Sequence, residues 1–200
     1  ERWIANLLPE TQDLYNGYRA FFDNWLASPA ALRGASRFGL KEVRLDAEHA
    51  RFLEWVYPDA RFVFLVRNPY DSWASAKGMG WEFLWPDRIF STVEEFVTHW
   101  RRLAEGFAAW QGDNGILVRY EDVISHPRII DNMMGHVGLD GWDRKVLASR
   151  VRGWKAPPTR LTPEELVKIR NLAGPIAQRL GYSGPERGAV NRVLPLKHAG

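Results

Sequence analysis

The sequence predicts an α/β fold in which a parallel sheet is flanked by helices. Two short runs, residues 61–66 (RFVFLV) and 115–120 (GILVRY), are nearly continuous in apolar and β-branched residues. Such runs are typical of strands that are buried on both faces of a parallel sheet. Helical patterns precede, separate and follow the two runs, and this alternation favours parallel pairing. In such sheets the ligand binds at the carboxyl ends of the strands.

The composition is that of a globular protein. The chain has 200 residues, of which 46% are hydrophobic and 26% are charged, which suits a single α/β domain. We expect this domain to span residues 1–182, with an extended tail over residues 183–200. The formal net charge of +3 is too small to indicate a nucleic-acid partner, but it suits a small polyanionic ligand.

Several classes of site are excluded by composition. The chain has no cysteine, so it has no disulfide, no thiolate metal site and no cysteine nucleophile. The histidines do not have metal-ligand spacing, and we therefore expect no metal site. The lack of cysteine fits a reducing compartment, and we expect a cytoplasmic protein. No apolar run is long enough to cross a bilayer, so no membrane partner is expected.

Helices dominate the first part of the chain. Residues 3–26 carry apolar side chains at helical spacing, with a break or a start at Pro9. Residues 28–39 have the composition of a loop, and residues 38–45 predict a short strand. A helix capped by Asp46 should follow and extend through Val56.

Further helices are predicted after the first strand of the sheet. Pro69 suits the first turn of a helix, and Thr162 with the Pro-Glu-Glu that follows it is a strong N-terminal signal. Residues 80–92 are aromatic and irregular, as expected of a loop that covers a site. The remaining predicted elements are helices over residues 93–110, from Pro127 to Gly135 or Gly138, over 142–151 and from 162 to Leu180 (stopped by Gly181), with a proline-rich loop over 153–162.

The segment LVRNPYDSWAS, residues 65–75, has the properties of an anion site. Arg67 leaves a buried strand, and Ser75 lies eight residues later, about two turns into the next helix. An arginine offers a planar fork to phosphate oxygens, and a serine hydroxyl adds a neutral donor. Pro69 stiffens the turn between them. From these residues alone, an ordinary strand–turn–helix whose arginine pairs with a carboxylate is an equal alternative.

The segment at residues 60–75 (ARFVFLVRNPYDSWAS) resembles the 3′-phosphate-binding segment of sulfotransferases that use 3′-phosphoadenosine 5′-phosphosulfate (PAPS). Three other stretches resemble that family in the same order: GLKEVRL at 39–45, ILVRYEDVISHP at 116–127, and WKAPPTRLTPEELVKIRNLAGPIAQRLGY at 154–182. Together they cover most of residues 39–182. The pattern is most similar to tyrosylprotein and related bacterial sulfotransferases.

The resemblance implies a nucleotide site made by three residues. Arg67 and Ser75 would bind the 3′-phosphate of PAPS or of the product, 3′-phosphoadenosine 5′-phosphate (PAP). Tyr120 would lie at the nucleotide.

The resemblance also implies residues for the transfer step. Lys41 would contact the transferring sulfuryl group and stabilise the negative charge that develops on the bridging oxygen. Ser149 and Lys155 are similar to a serine and lysine around the family's C-terminal donor loop, the serine as a catalytic group and the lysine as a donor-binding group. No metal is required by this chemistry.

One part of the family pattern is not found in the chain. The glycine-rich loop that holds the 5′-phosphosulfate should lie near the N-terminus, and residues 1–38 contain no match. We therefore expect a P-loop-like sulfotransferase fold that is N-terminally incomplete, without its first strand. A sheet that lacks a strand exposes an edge, so reduced stability or a partner is expected, a homodimer being one candidate.

The implied function is transfer of a sulfuryl group from PAPS to a hydroxyl or amine. The acceptor would be a small molecule such as a carbohydrate or a phenol. Two alternatives stay open. One is a non-catalytic sulfotransferase-like remnant that binds PAP or a partner. The other is a P-loop small-molecule kinase, which would need a Walker loop that the sequence does not contain.

Overall fold

The computed structural model of the chain describes residues 9–43, 45–79, 90–143, 145 and 160–185. The chain divides into two compact units, Glu1–Ala60 and Arg61–Gly200. The predictions of a loop over 80–92, a helix over 142–151, a loop over 153–162 and a tail after 183 fall mostly outside the described residues. The single domain over residues 1–182 stays a prediction.

The first unit is helical. Asp46 caps one of its helices, because its carboxylate accepts the backbone N–H groups of Glu48 at 3.1 Å and His49 at 3.2 Å. This confirms the predicted start. The elements are α1 (Thr11–Phe22), a π-helical turn (Asp23–Ala27), α2 (Ser28–Leu32) and α3 (Ala47–Val56).

Two predictions for the first unit were wrong. The described part of residues 38–45 contains no strand. Most of its apolar side chains are solvent-exposed, Leu40 by 42% and Val43 by 66%, so burial does not stabilise an extended conformation there. Residues 28–39 are not entirely a loop, because α2 continues the preceding helical turns before the chain reaches Gly34, whose φ of 75° ends the helical path.

The second unit contains the predicted parallel pair of strands. Strand β1 (Phe62–Val66) pairs with β2 (Gly115–Arg119) in a register that runs from Phe62 opposite Gly115 to Val66 opposite Arg119. The α/β class is therefore confirmed. Tyr120 is the first residue of a helix rather than the last residue of the strand.

Helices in the second unit pack against each other and against one face of the sheet. The N-cap Thr162 accepts the N–H of Glu165 at 3.2 Å and Pro163 occupies the first turn, as predicted.

None of the helices in the described ranges is long and apolar enough to cross a membrane. The helices are α4 (Pro69–Met79), α5 (Val93–Ala108), α6 (Tyr120–Ser125), α7 (Pro127–His136) and α8 (Pro163–Arg179).

Aromatic rings cover one face of the sheet. The ring of Phe64 lies 4.8 Å from that of Phe107 in α5 and 5.1 Å from that of Trp110. Side chains alternate across a strand, and on the opposite face Leu65 is 50% exposed. The prediction that β1 is buried on both faces was therefore wrong for Leu65, because the rings of Phe107 and Trp110 pack on the Phe64 face.

Candidate functional site

The carboxyl ends of the two strands bring Arg67 and Tyr120 together. Arg67 directly follows β1 and Tyr120 directly follows β2, and the register places Val66 opposite Arg119. The guanidinium carbon of Arg67 consequently lies 5.0 Å from the centre of the Tyr120 ring. This is a cation–π contact. Arg67 and Tyr120 therefore lie together at the carboxyl edge of the sheet.

The charge of Arg67 has no carboxylate partner in the described part of the chain. Its side chain is half-buried, and no Asp or Glu there forms an ion pair with it. The neighbouring carboxylate of Glu121 accepts backbone and hydroxyl donors instead. The alternative in which Arg67 pairs with a carboxylate therefore has no support from these residues, and the guanidinium donors can bind an anion.

Asn68 starts helix α4 and is completely buried, with 0% exposure. Its side-chain oxygen accepts the N–H of Tyr70 at 3.0 Å, and Pro69 takes the first helical position. Its side-chain amide donates to the carbonyl of Gly184 at 2.7 Å. These bonds fix the turn that carries Arg67, and they confirm the predicted place of Pro69.

Ser75 lies in α4, two turns from its start. Its side chain is half-buried, and its hydroxyl makes no hydrogen bond within the described residues. Ser75 and Ser72 are three residues apart, so they share one face of the helix. Within the described residues, the hydroxyl of Ser75 is thus a donor without an acceptor.

Helix α4 is anchored to α8 through one carboxylate. Glu165 Oε1 accepts Trp73 Nε1 at 2.9 Å and Lys77 Nζ at 2.8 Å, and Oε2 accepts the N–H of Thr162 at 2.8 Å. Burial alone would raise the pKa of Glu165, but the bonds from Lys77, Thr162 and Trp73 outweigh burial and lower it. The ionised carboxylate therefore holds the helix that carries Ser75.

A buried polar network lies behind the turn. Glu121, which is 8% exposed, accepts the hydroxyl of Tyr182 at 2.9 Å. Burial, followed by the charge and hydrogen bond of Glu121, raises the pKa of Tyr182. The guanidinium carbon of Arg119 lies 4.5 Å from the Tyr182 ring centre, and Arg119 Nε lies 3.7 Å from the carboxylate of Asp122. Burial raises the pKa of Asp122 against the opposing effect of Arg119.

Sequence reasoning missed this network. Glu121 and Asp122 were not predicted as site residues, although a pair of acidic residues at a buried strand end is a signal for a polar site. Tyr182 gave no comparable signal, since its contact with Glu121 spans 61 residues of sequence.

The structure does not test the other three predicted site residues. Lys41 lies in the first unit, where its side chain is exposed on an irregular segment between α2 and α3. Ser149 and Lys155 lie outside the described residues. The roles of these three residues stay predictions.

Within the described residues, no group of three or more His, Asp or Glu side chains could hold a metal ion.

In comparisons with known proteins, a family model described as "Sulfotransferase family" matches residues 3–144. The match includes Lys41, Arg67, Ser75 and Tyr120. No curated protein and no solved structure matches the chain significantly.

Proposed function

Because the chain belongs to the sulfotransferase family, we propose that it acts in transfer of a sulfuryl group from PAPS to a hydroxyl or amine, with release of PAP. The observation that carries the proposal is the half-buried Arg67 guanidinium at the carboxyl end of β1, without a carboxylate partner among the described residues. Ligands of parallel sheets bind at the carboxyl ends of the strands, and a cation there favours an anionic ligand.

In this proposal the guanidinium of Arg67 binds the 3′-phosphate of the nucleotide. A phosphate oxygen pair accepts the parallel N–H donors of an arginine fork, which gives strong charge-assisted hydrogen bonds. Ser75 supplies a neutral hydroxyl donor from α4, and the start of that helix adds a favourable dipole for an anion. Tyr120 supports the guanidinium from its ring face and contacts the nucleotide.

The transfer step needs groups that stabilise negative charge. The acceptor oxygen or nitrogen forms a bond to sulfur while the bond from sulfur to the 5′-phosphate oxygen breaks, and PAP leaves with the electron pair. The acceptor proton passes to a base. In this proposal Lys41 stabilises the negative charge that develops on the bridging oxygen, and Ser149 assists Lys41 in that role. Lys155 binds the donor.

The acceptor is proposed to be a small molecule such as a carbohydrate or a phenol. Residues 80–92, in which aromatic side chains are frequent, are the segment proposed to cover it. Flat rings suit stacking on an aromatic ring or on the apolar face of a sugar.

Titration calorimetry with PAP tests the proposed donor site. Wild type and Arg67→Ala are compared with Arg61→Ala, a matched control that removes an exposed arginine from the opposite end of β1. We expect Arg67→Ala to weaken PAP binding by about tenfold to a hundredfold, because charged hydrogen bonds are lost, and Arg61→Ala to bind like wild type. Equal affinity in all three proteins would contradict the proposal.

Sulfuryl transfer is tested separately, by incubating the protein with labelled PAPS and a panel of sugars and phenols. Formation of PAP together with a labelled acceptor is the expected result. PAP binding without any turnover would instead favour the non-catalytic alternative.

A further inference from the structure

We propose that Glu121 and Trp100 are positioning residues that set the direction of the Arg67 guanidinium by holding the peptide group between Arg67 and Asn68. This inference rests on the proposed function, because it assigns both residues to the same 3′-phosphate site.

The peptide group after Arg67 is bound on both sides. Trp100 Nε1 donates to the carbonyl oxygen of Arg67 at 2.9 Å, and the N–H of Asn68 donates to Glu121 Oε1 at 2.9 Å. A peptide group is planar, so fixing its oxygen and its N–H fixes the whole plane. The rotation of the backbone at Arg67 is thereby restrained, and with it the direction in which the side chain leaves the turn.

The Glu121 carboxylate is itself held in place. Its second oxygen accepts the hydroxyl of Tyr182, a side chain that is only 2% exposed. The two carboxylate oxygens of Glu121 thus each accept one hydrogen bond from a buried donor. Removal of the carboxylate would leave the buried Asn68 N–H without its acceptor, and it would leave the Tyr182 hydroxyl with the more distant carbonyl oxygen of Val66, at 3.4 Å.

Initiation of helix α4 does not require these two bonds. Asn68 already caps the helix with its own side-chain oxygen, which accepts the N–H of Tyr70. The bond from Trp100 and the bond to Glu121 act instead on the peptide group between Arg67 and Asn68, which precedes the helix. Their position therefore matches a role in aiming Arg67.

The central test measures PAP affinity in Glu121→Leu and Glu121→Gln, each with Arg67 or with Arg67→Ala. We expect Glu121→Leu to weaken PAP binding at least about fivefold, the loss typical of one hydrogen bond. Glu121→Gln keeps an acceptor oxygen for the Asn68 N–H, and it should restore most of the affinity. In the Arg67→Ala background, Glu121→Leu should cause no further loss.

A second pair of measurements covers the case in which Glu121→Leu does not fold. Trp100→Phe removes the Nε1 donor but keeps an aromatic ring, and it should weaken PAP binding by a few fold. Amide hydrogen exchange at Asn68, measured without ligand, should be faster in Tyr182→Phe than in wild type, because the carboxylate loses its hydroxyl donor.

The outcomes separate the two proposals. If PAP binding depends on Arg67 but is unchanged in the folded Glu121 and Trp100 variants, the positioning role is overturned and the donor site stands. The positioning role is also overturned if Glu121→Leu lowers PAP affinity by the same factor with Arg67 and with Arg67→Ala, since that result indicates a general structural effect. If PAP binding does not depend on Arg67, the proposed donor site fails and this inference fails with it.

Discussion

At the scale of single residues, the chemistry centres on a guanidinium that is half-buried beside an aromatic ring. Removing a charged group from water is costly unless another group compensates for it. The Tyr120 ring compensates in part through its contact with Arg67, and we propose that the nucleotide phosphate supplies the rest. The donor geometry of Arg67 should therefore matter as much as its charge.

Arg67→Lys tests that geometry. A lysine keeps the positive charge but cannot form two parallel hydrogen bonds or stack as a plane on Tyr120. We expect the variant to bind PAP roughly tenfold more weakly than wild type, by calorimetry at constant ionic strength. Full affinity in Arg67→Lys would show that a point charge is sufficient.

Glu165 should make stability depend on pH in acid. Its pKa in the folded protein lies below the ordinary value of 4.5, so its contribution is complete above pH 4.5 and is lost as the pH falls through the folded-state pKa. Wild type should unfold less readily in denaturant than Glu165→Gln at pH 7, and the difference should shrink at pH 3. A difference that does not change with pH would contradict this account.

At the scale of elements, helix α8 ends in a turn that only glycine suits. Gly181 has φ of 82°, and its N–H and that of Tyr182 bond to the carbonyls of Gln178 at 2.9 Å and Ala177 at 2.8 Å. This is a Schellman motif, and it directs Tyr182 toward Glu121. A Cβ atom on Gly181 would lie 2.8 Å from Arg119 Nη1.

Gly181→Ala should lower the free energy of unfolding by about 1–2 kcal/mol, because the backbone is strained and Arg119 must move. Gly135→Ala is the matched control. It lies in α7, and an added Cβ meets nothing within 4 Å. Urea denaturation of both variants checks the prediction, which equal stabilities would contradict.

Local patterns in the sequence predicted the elements that carry Arg67 and Tyr120. The apolar runs gave both strands, and Pro69, Thr162 and Gly181 marked helix boundaries where the structure has them. Patterns failed where burial decides the outcome, as in residues 38–45, where the side chains of Phe38, Leu40 and Val43 are exposed. The bond between Tyr182 and Glu121 could not be predicted, because it depends on tertiary packing rather than on spacing along the chain.

At the scale of the whole molecule, the predicted single domain over residues 1–182 can be tested by its cooperativity. Hydrogen exchange with mass spectrometry during denaturation reports separately on peptides from the two compact units. One domain predicts that α3 and β1 lose protection at the same denaturant concentration. Two well-separated transitions would contradict the prediction.

The sequence also predicts an exposed sheet edge that a partner chain could cover, which is a property of the whole molecule. Analytical ultracentrifugation over a range of concentrations tests for the homodimer that was considered as one candidate partner. A sedimentation coefficient that rises with concentration is the result expected for self-association. A constant monomeric value would contradict a homodimer.

The most direct test of the donor site compares two nucleotides that differ only in the 3′-phosphate, PAP and adenosine 5′-phosphate. The ratio of their affinities isolates the contribution of that phosphate. We predict that wild type binds PAP at least about tenfold more tightly and that the ratio falls close to one in Arg67→Ala. The same ratio in both proteins would contradict the assignment of Arg67 to the 3′-phosphate.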